Sequence, residues 1–197
     1  MGLFLASESP RRRMLLADLI NEFEVEAAAV EEAAAFSAIR PDELALGNAR
    51  LKADAVARRH PEDWVLGADT IVVLGNEIFG KPADLDEARS FLRRLSGRKH
   101  EVMTAVALIN WSLQRRFEFV ERSQVKFREL TPDDVEHYLQ LVPVLDKAGA
   151  YGIQEHGEIL VESIEGEMAN IIGLPVKALS KYLHKAGLLP ENMKQGI

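Results

Sequence analysis

Charged and hydroxyl side chains of this sequence gather in a few short stretches. The first is Ser7-Glu8-Ser9-Pro10-Arg11-Arg12-Arg13. An apolar run ends there, and Ser9 followed by Pro10 is a strong helix-start signal. Such a junction offers free backbone N–H groups and the positive end of a helix dipole. It reads as an anion site, or as a capped surface helix with basic decoration. Three consecutive arginines point in different directions around a helix, so one or two can face an anion while the third is solvated. Neither a Walker sequence nor GxGxxG occurs, which excludes an ordinary P-loop or dinucleotide fingerprint.

Asp69 stands in Val65-Leu66-Gly67-Ala68-Asp69-Thr70-Ile71-Val72-Val73. A carboxylate inside an apolar strand must be paired, metal-bound or at a strand end, because burying it unpaired is costly. It reads as a strand-end metal ligand or general base, with Gly67 and Ala68 leaving room for close approach. The plainer reading pairs it with a core-edge Arg or Lys. Glu31 and Glu32 could supply a second carboxylate for a hard cation; taken alone they are a solvated acidic loop. Lys52 lies four residues past Asn48, and Lys81 is stiffened by Gly80 and Pro82, so either could bind phosphate as a point charge or be a surface lysine. His100 reads as a structural hydrogen-bonding group near the start of a strand that also carries Thr104. Asp146-Lys147-Ala148-Gly149-Ala150-Tyr151-Gly152-Ile153-Gln154 is a small-residue loop holding an amide, a group able to read a nucleobase edge.

The elements that must position these groups follow from periodicity and turn signals. Leu3–Ala6 reads as a buried strand and Pro10 to about Ile20 as a helix carrying Leu15, Leu16 and Leu19. Phe23 and Val25 mark a half-exposed strand, and Pro41 opens a helix running to about Arg59. Trp64–Leu74 is a strand breaking at Gly75-Asn76, with Ile78-Phe79 pairing back. Asp84 starts a helix with Leu85, Ala88, Phe91, Leu92 and Leu95 at helical spacing. Val102–Ile109 and Phe117–Phe127 read as two long strands, and Thr131-Pro132-Asp133-Asp134 as a helix start. Gly149–Ile164 reads as loop and strand, Leu174–Ala186 as the last helix, and the polar tail from Pro190 as frayed. Intermingled helices and strands make the class α/β, with a partly parallel, mixed sheet.

Composition narrows the function. The chain has 197 residues, 47% of them hydrophobic, ample for a core. Its longest apolar stretches fall short of a membrane span, and an apolar run followed by charge reverses the order of a secretory signal. With no cysteine there is no thiolate site or nucleophile, and five scattered His residues form no metal pair. A net charge of −7 and few aromatics disfavour a nucleic-acid-binding module. The expectation is a soluble, cytoplasmic protein without nucleic-acid or membrane partners, whose anionic ligand meets a local cluster of cations or a metal.

Taken together, Leu5-Ala6-Ser7-x-Ser9-Pro10-Arg11-Arg12, Gly67-Ala68-Asp69-Thr70, Lys81-Pro82, Ser96-Gly97-x-x-His100-x-Val102-x-Thr104, Lys147-Ala148-Gly149-Ala150-Tyr151-Gly152-Ile153-Gln154 and Gly173-Leu174-Pro175 resemble the Maf family in order and spacing. The resemblance runs from Leu3 to about Leu183. It implies a Maf-like, ITPase-like α/β fold, with a mixed, elongated central sheet flanked by helices and two lobes with a cleft, as a single domain over residues 1–197. It also implies a nucleoside triphosphate pyrophosphatase that depends on a divalent metal cation, Mg²⁺ or Mn²⁺, and forms homodimers.

By the same resemblance, Asp69 matches the catalytic acid–base carboxylate and, with Glu32, the metal-holding pair. Ser7, Arg11, Arg12, Lys52 and Lys81 match phosphate-handling positions. The subgroup acting on dTTP and UTP carries Arg, Thr and Gln at three selectivity positions, here Arg11, Thr70 and Gln154. The sister subgroup, which prefers methylated bases such as 7-methyl-GTP, has a bulky residue after Ser-Pro and Gln after Asp. The chain therefore resembles the dTTP/UTP type, which yields nucleoside monophosphate and pyrophosphate from dTTP, UTP and modified pyrimidine triphosphates. The alternative is a non-catalytic nucleotide-binding regulator of cell division using the same cleft. Two departures stand out: Glu8 where a small residue is usual, and Gly166-Glu167-Met168-Ala169-Asn170 in place of a Gly-Ser-Tyr loop start.

Overall fold

The computed structural model describes residues 1–33 and 39–190. The polar tail expected to fray lies, beyond Pro190, outside the described residues.

The chain begins with β1 (Leu3–Leu5), whose three side chains are all buried. Ser9 then caps α1 (Pro10–Ala17) by accepting the Arg12 N–H, with Pro10 at the first helical position. α1 stops short of Ile20 because the chain tightens into a turn, the Leu19 N–H bonding the Leu16 carbonyl, yet Leu19 and Ile20 still pack on the core. β2 (Glu24–Val25) lies parallel to β1, and α2 (Pro41–Ala57) carries Asp42 and Glu43 in its first turn. β3 (Trp64–Leu74) has the expected bounds, and β4 (Glu77–Phe79) pairs back on it after Gly75, whose φ of +63° suits the turn.

α3 (Leu85–Leu95) is capped by Asp84 and α4 (Pro132–Leu141) by a Thr131–Asp134 capping box. Between them, β5 (Lys99–Asn110) and β6 (Arg115–Phe127) form a hairpin longer than the apolar pattern suggested. Polar ends extend both strands, so His100 is the second residue of β5, near its start as expected, while Thr104 lies well inside it. The stretch read as loop and strand from Gly149 gives a helical turn, α5 (Gly157–Leu160), before β7 (Val161–Glu165). A short α6 (Met168–Ile172), not foreseen, precedes α7 (Val176–Lys185).

The strands form one sheet in the order β2-β1-β3-β5-β6-β7, with β4 also on β3. β1 runs parallel to β2 and β3, and the remaining pairs are antiparallel, so the sheet is mixed as expected. On one edge, β3 pairs with β5 from Trp64 to Val73. On the other, β1 covers Trp64–Leu66 and β4 covers Val72–Leu74. Residues 67–71 have no strand partner on that edge among the described residues. A notch therefore opens halfway along the central strand, the kind of strand-order break where α/β sheets place ligands.

Packing reinforces the notch. α2 lays Ala45, Ala49, Ala53, Val56 and Ala57 over Val65, Ile71, Val73 and the inner residues of β5. The opposite face carries two separate apolar clusters. One joins β1, α1 and α7 through Leu5, Leu16, Trp64, Leu174 and Leu183. The other joins α3, α4 and the 150–171 region through Val72, Phe91, Leu92, Tyr138 and Tyr151. A polar seam divides them: Thr70 and Thr104 share a hydrogen bond at 3.0 Å, Thr104 donates to the Asn170 carbonyl at 2.9 Å, and the Asn170 amide donates to the Val102 carbonyl and Ser123. These are the two lobes, and the cleft lies between them.

Candidate functional site

The notch opens into a cleft of about 1010 Å³. Alternation along β3 aims Gly67, Asp69 and Ile71 toward α2 and Thr70 toward the polar seam. Because the strand edge is open at this point, both Asp69 and Thr70 reach the cleft. Asp69 lies at the middle of β3 rather than at a strand end, as the sequence had suggested.

Asp69 is 5% exposed. Lys52 Nζ donates to its Oδ1 at 2.7 Å and Asn48 Nδ2 to its Oδ2 at 3.3 Å. Asn48 and Lys52, one helical turn apart on α2, occupy a single face. They reach the strand only because residue 67 is glycine. A Cβ there would stand 2.3 Å from the Ala49 carbonyl oxygen and 2.8 Å from the Ala53 nitrogen.

The same Lys52 ammonium lies 3.2 Å from Glu32, and Lys81 Nζ lies 3.6 Å from Glu32. Asn48 ties the Glu32 segment to the strand: it accepts the Ala33 N–H at 2.9 Å and donates to the Ala33 carbonyl at 3.2 Å. Burial pushes the Asp69 carboxyl above its usual range, and Lys52 and Arg12 only partly offset this. At Glu32 burial also pushes upward, but Lys52 and Lys81 together outweigh it and hold that carboxyl below its usual range.

Arg12 faces the pair from the α1 side. Its guanidinium donates to the Gly173 carbonyl at 2.9 Å, Thr70 Oγ1 at 3.1 Å and Ser7 Oγ at 3.4 Å. All three acceptors are neutral. Among the described residues no carboxylate lies within ion-pair distance, so its charge stays uncompensated at contact range. Burial lowers its pKa while Asp69 and Glu32 pull it back, and an arginine remains a cation throughout. Gly173, at φ +128°, takes a conformation that other residues avoid and so brings its carbonyl to Arg12.

Arg11 behaves differently. Its guanidinium is engaged by Asp146 at 3.2 Å and Glu155 at 3.6 Å, on the loop that ends the cleft near Gln154. Gln154 is exposed and lines the cleft.

Ser7, Arg11, Arg12, Glu32, Lys52, Asp69, Thr70, Lys81 and Gln154 thus all line one cleft. The plainer reading of Asp69, paired with a lysine, is what Lys52 provides, and the pair lies in the cleft wall. Lys81, expected in a fixed place, has a side chain 59% exposed with Glu32 as its sole carboxylate neighbour among the described residues. His100 hydrogen-bonds the buried Tyr151 hydroxyl at 2.9 Å, a structural role. Glu8 is exposed on the cleft rim. In the unusual 166–170 segment, Glu167 and Met168 stay out of the cleft, Asn170 is buried in the seam, and Ile171 and Ile172 form wall. Asn48 went unassigned in the sequence, although a polar residue on the apolar face of an alanine-rich helix, one turn before a lysine, was a readable signal. Asp146 and Lys147 stood in a loop the sequence singled out but were given no role of their own, and Glu155, one residue beyond it, had no local signature.

Two observations bear on a metal. The lining holds five Lys and Arg against six Asp and Glu, too little net positive charge for a polyphosphate. Among the described residues no group of three or more His, Asp or Glu forms a self-sufficient metal site. Glu32 and Asp69, already sharing one cation in Lys52, suit a hard divalent ion that completes its shell with water and phosphate oxygens.

The family model described as Maf-like protein matches residues 2–186. A dTTP/UTP pyrophosphatase of Akkermansia muciniphila is 48% identical over 183 residues, covering 93% of this chain and 95% of the relative. Proteins of the same name from Clostridioides difficile and Myxococcus xanthus are 43% and 46% identical, each over 94% of this chain and over 95% and 93% of their own lengths. Among solved structures, the Staphylococcus aureus Ham1 protein superposes with a TM-score of 0.54 at 15% identity, over 94% of this chain and 100% of that one. A HAM1 protein from Coxiella burnetii gives 0.53 at 16%, over 94% and 99%. At such identities these two speak for the fold.

Proposed function

The chain belongs to the Maf-like family, and on that footing we propose that it hydrolyses dTTP and UTP to nucleoside monophosphate and pyrophosphate. The observation that carries this reading is a buried carboxylate, Asp69, made more basic by burial and sharing a cleft with the uncompensated guanidinium of Arg12. Relatives named dTTP/UTP pyrophosphatase, aligned over nearly all of this chain, support the substrate pair.

Each Asp69 oxygen holds one donor, Lys52 or Asn48, and keeps a lone pair for a water proton. As Asp69 takes that proton, the water oxygen bonds to the α-phosphorus. The bond from that phosphorus to the α–β bridging oxygen breaks, and pyrophosphate leaves with the electron pair. Arg12, already oriented by Ser7, Thr70 and Gly173, meets the charge on the polyphosphate without reorganising. Mg²⁺ or Mn²⁺ held by Glu32 and Asp69 would supply the further neutralising charge that the lining lacks. Arg11, Thr70 and Gln154 form the base-selective set, and a site that pairs a polar base edge rejects the wrong base by roughly 10⁴-fold. Modified pyrimidine triphosphates belong to the same substrate class. A homodimer and a cytoplasmic location complete the reading on the family resemblance; no described helix is long and apolar enough to cross a membrane.

The test is pyrophosphate release from a panel of triphosphates with added Mg²⁺ or Mn²⁺. Wild type is expected to prefer dTTP and UTP, and Asp69→Asn to lower kcat by about 10²- to 10⁴-fold, the worth of a general base. Undiminished turnover in Asp69→Asn refutes the catalytic assignment. Nucleotide binding with no pyrophosphate release in wild type favours the regulator instead.

A further inference from the structure

Arg11 and Arg12 are neighbours in sequence and both line the cleft, yet their surroundings differ in kind. Arg12 is held by neutral oxygens. Arg11 closes a ring of alternating charge. Its Nη1 lies 3.2 Å from Asp146 Oδ2 and 3.6 Å from Glu155 Oε1. Lys147 Nζ lies 2.9 Å from Asp146 Oδ1 and 3.3 Å from Glu155 Oε2. Each carboxylate therefore spans both cations, using a different oxygen for each. Lys147 is almost wholly buried, its side chain 3% exposed, and its third contact is the Pro143 carbonyl at 2.5 Å.

The loop is built to hold this ring. The Gly152 N–H donates to the hydroxyl of the buried Tyr138 at 3.0 Å, and the Glu155 N–H closes a turn on the Gly152 carbonyl. A Cβ at Gly152 would stand 2.9 Å from Lys147 Cε and 3.0 Å from Glu155 Oε1, so the ring packs against bare backbone. Gly149, at φ +69°, brings the same loop onto Val72. Gln154 is carried between Ile153 and Glu155 on this frame.

Resting on the dTTP/UTP reading, we propose that Asp146, Lys147 and Glu155 are positioning residues for pyrimidine recognition: they hold the Arg11 guanidinium at the nucleobase end of the cleft, beside Gln154. Two carboxylates shared with Lys147 leave Arg11 no spare charge for a polyphosphate. Arg12, Lys52 and Lys81 serve the phosphate end. Arg11 acts as a directional N–H donor whose plane is fixed from behind, which is what reading a carbonyl edge requires.

The experiment pairs base discrimination with a probe that has no base. Glu155→Gln is compared with wild type for kcat/KM on dTTP, UTP, dCTP and dATP, and for inhibition by inorganic tripolyphosphate. The expected result is a fall of about tenfold in the dTTP/dCTP and UTP/dATP ratios, the size of one charge-assisted hydrogen bond, with tripolyphosphate inhibition unchanged. Glu155→Asp should recover part of the ratio. Asp146→Asn serves as the second variant, each single change leaving Lys147 one carboxylate. Equal tightening of all four nucleotides and of tripolyphosphate overturns the proposal, because it makes Arg11 a phosphate ligand that the carboxylates restrain. Unchanged ratios in both variants overturn it too. Absence of wild-type dTTP hydrolysis is a separate failure, that of the underlying reading.

Discussion

Gly67→Ala isolates the contact that sets the geometry around Asp69, the proposed catalytic carboxylate. The new Cβ would stand 2.3 Å from the Ala49 carbonyl oxygen, whereas ordinary contact begins at 3.4 Å. The atoms it meets, the Ala49 oxygen and the Ala53 nitrogen, are helix backbone, so α2 must retreat from β3 by about 1 Å. Asn48 and Lys52 flank the clash and travel with the helix. A retreat of that size takes the Lys52–Asp69 distance from 2.7 Å to about 3.7 Å and carries Asn48 beyond hydrogen-bonding reach. Overpacking costs about 1–3 kcal/mol, a fall in Tm of roughly 2–12 °C for a chain of this length. The catalytic loss should be larger in proportion, about 10²-fold in kcat, because a misplacement of 1 Å typically costs that much. Gly47→Ala is the control: it lies on the same helix, nothing lies within 4 Å of its added Cβ, and it should be neutral or slightly stabilising. Kinetics with saturating dTTP, measured well below both melting transitions, separate the two effects. A destabilised Gly67→Ala enzyme with wild-type kcat would refute the claim that helix–strand approach positions the base.

Asn48→Leu removes a donor from Asp69, so the acid limb of the kcat/KM profile should move up by about one pH unit, read from dTTP hydrolysis between pH 5 and 9. In wild type that limb should already lie above the ordinary carboxylate range, since activity needs ionised Asp69 and burial raises its pKa. Arg12→Lys cannot reproduce the fork onto Gly173, Thr70 and Ser7, and KM should rise by about 10- to 100-fold for every triphosphate, whatever its base. His100 is held neutral until about pH 4 by burial, while the unfolded chain takes up the proton near pH 6.5. Folding stability present above pH 6.5 is therefore lost as pH falls toward 4, by on the order of 3 kcal/mol; His100→Gln should lack this component in urea unfolding across that range.

What the sequence disclosed depended on how local the cause was. β3 could be bounded to the residue because β-branched and apolar side chains fill it and Gly75-Asn76 ends it. The α1 start was equally plain, since Ser9 and Pro10 act on their own neighbours. α6 escaped notice because it has five residues and its stability comes from Asn170 bonding to Val102 and Ser123, far away in the chain. The same divide runs through the site. Asp69 announced itself as a charge among apolar neighbours, and Gly67 as room beside it. The ring around Arg11 joins residues 135 positions apart, and only the folded chain shows that Asp146 faces it.

Ion pairing within the cleft gives it an order of events. Lys52 is shared by Asp69 and Glu32, Lys81 neighbours Glu32, and Arg11 is shared by Asp146 and Glu155, so most of the positive charge is spoken for before a ligand arrives. Replacing those pairs by a polyphosphate alone would strip the carboxylates of their cations, and for the buried Asp69 that is strongly unfavourable. Two routes avoid that cost. The polyphosphate can approach Arg12, whose charge no carboxylate shares at contact distance, or a divalent cation held by Glu32 and Asp69 would supply the neutralising charge there. Arg12 feels the charge of both Asp69 and Glu32, so the proposed activity and its proposed metal dependence are electrostatically linked. Triphosphate affinity should accordingly rise with Mg²⁺ in wild type, and this metal linkage should vanish in Glu32→Gln; linkage of equal size in both proteins would break the argument.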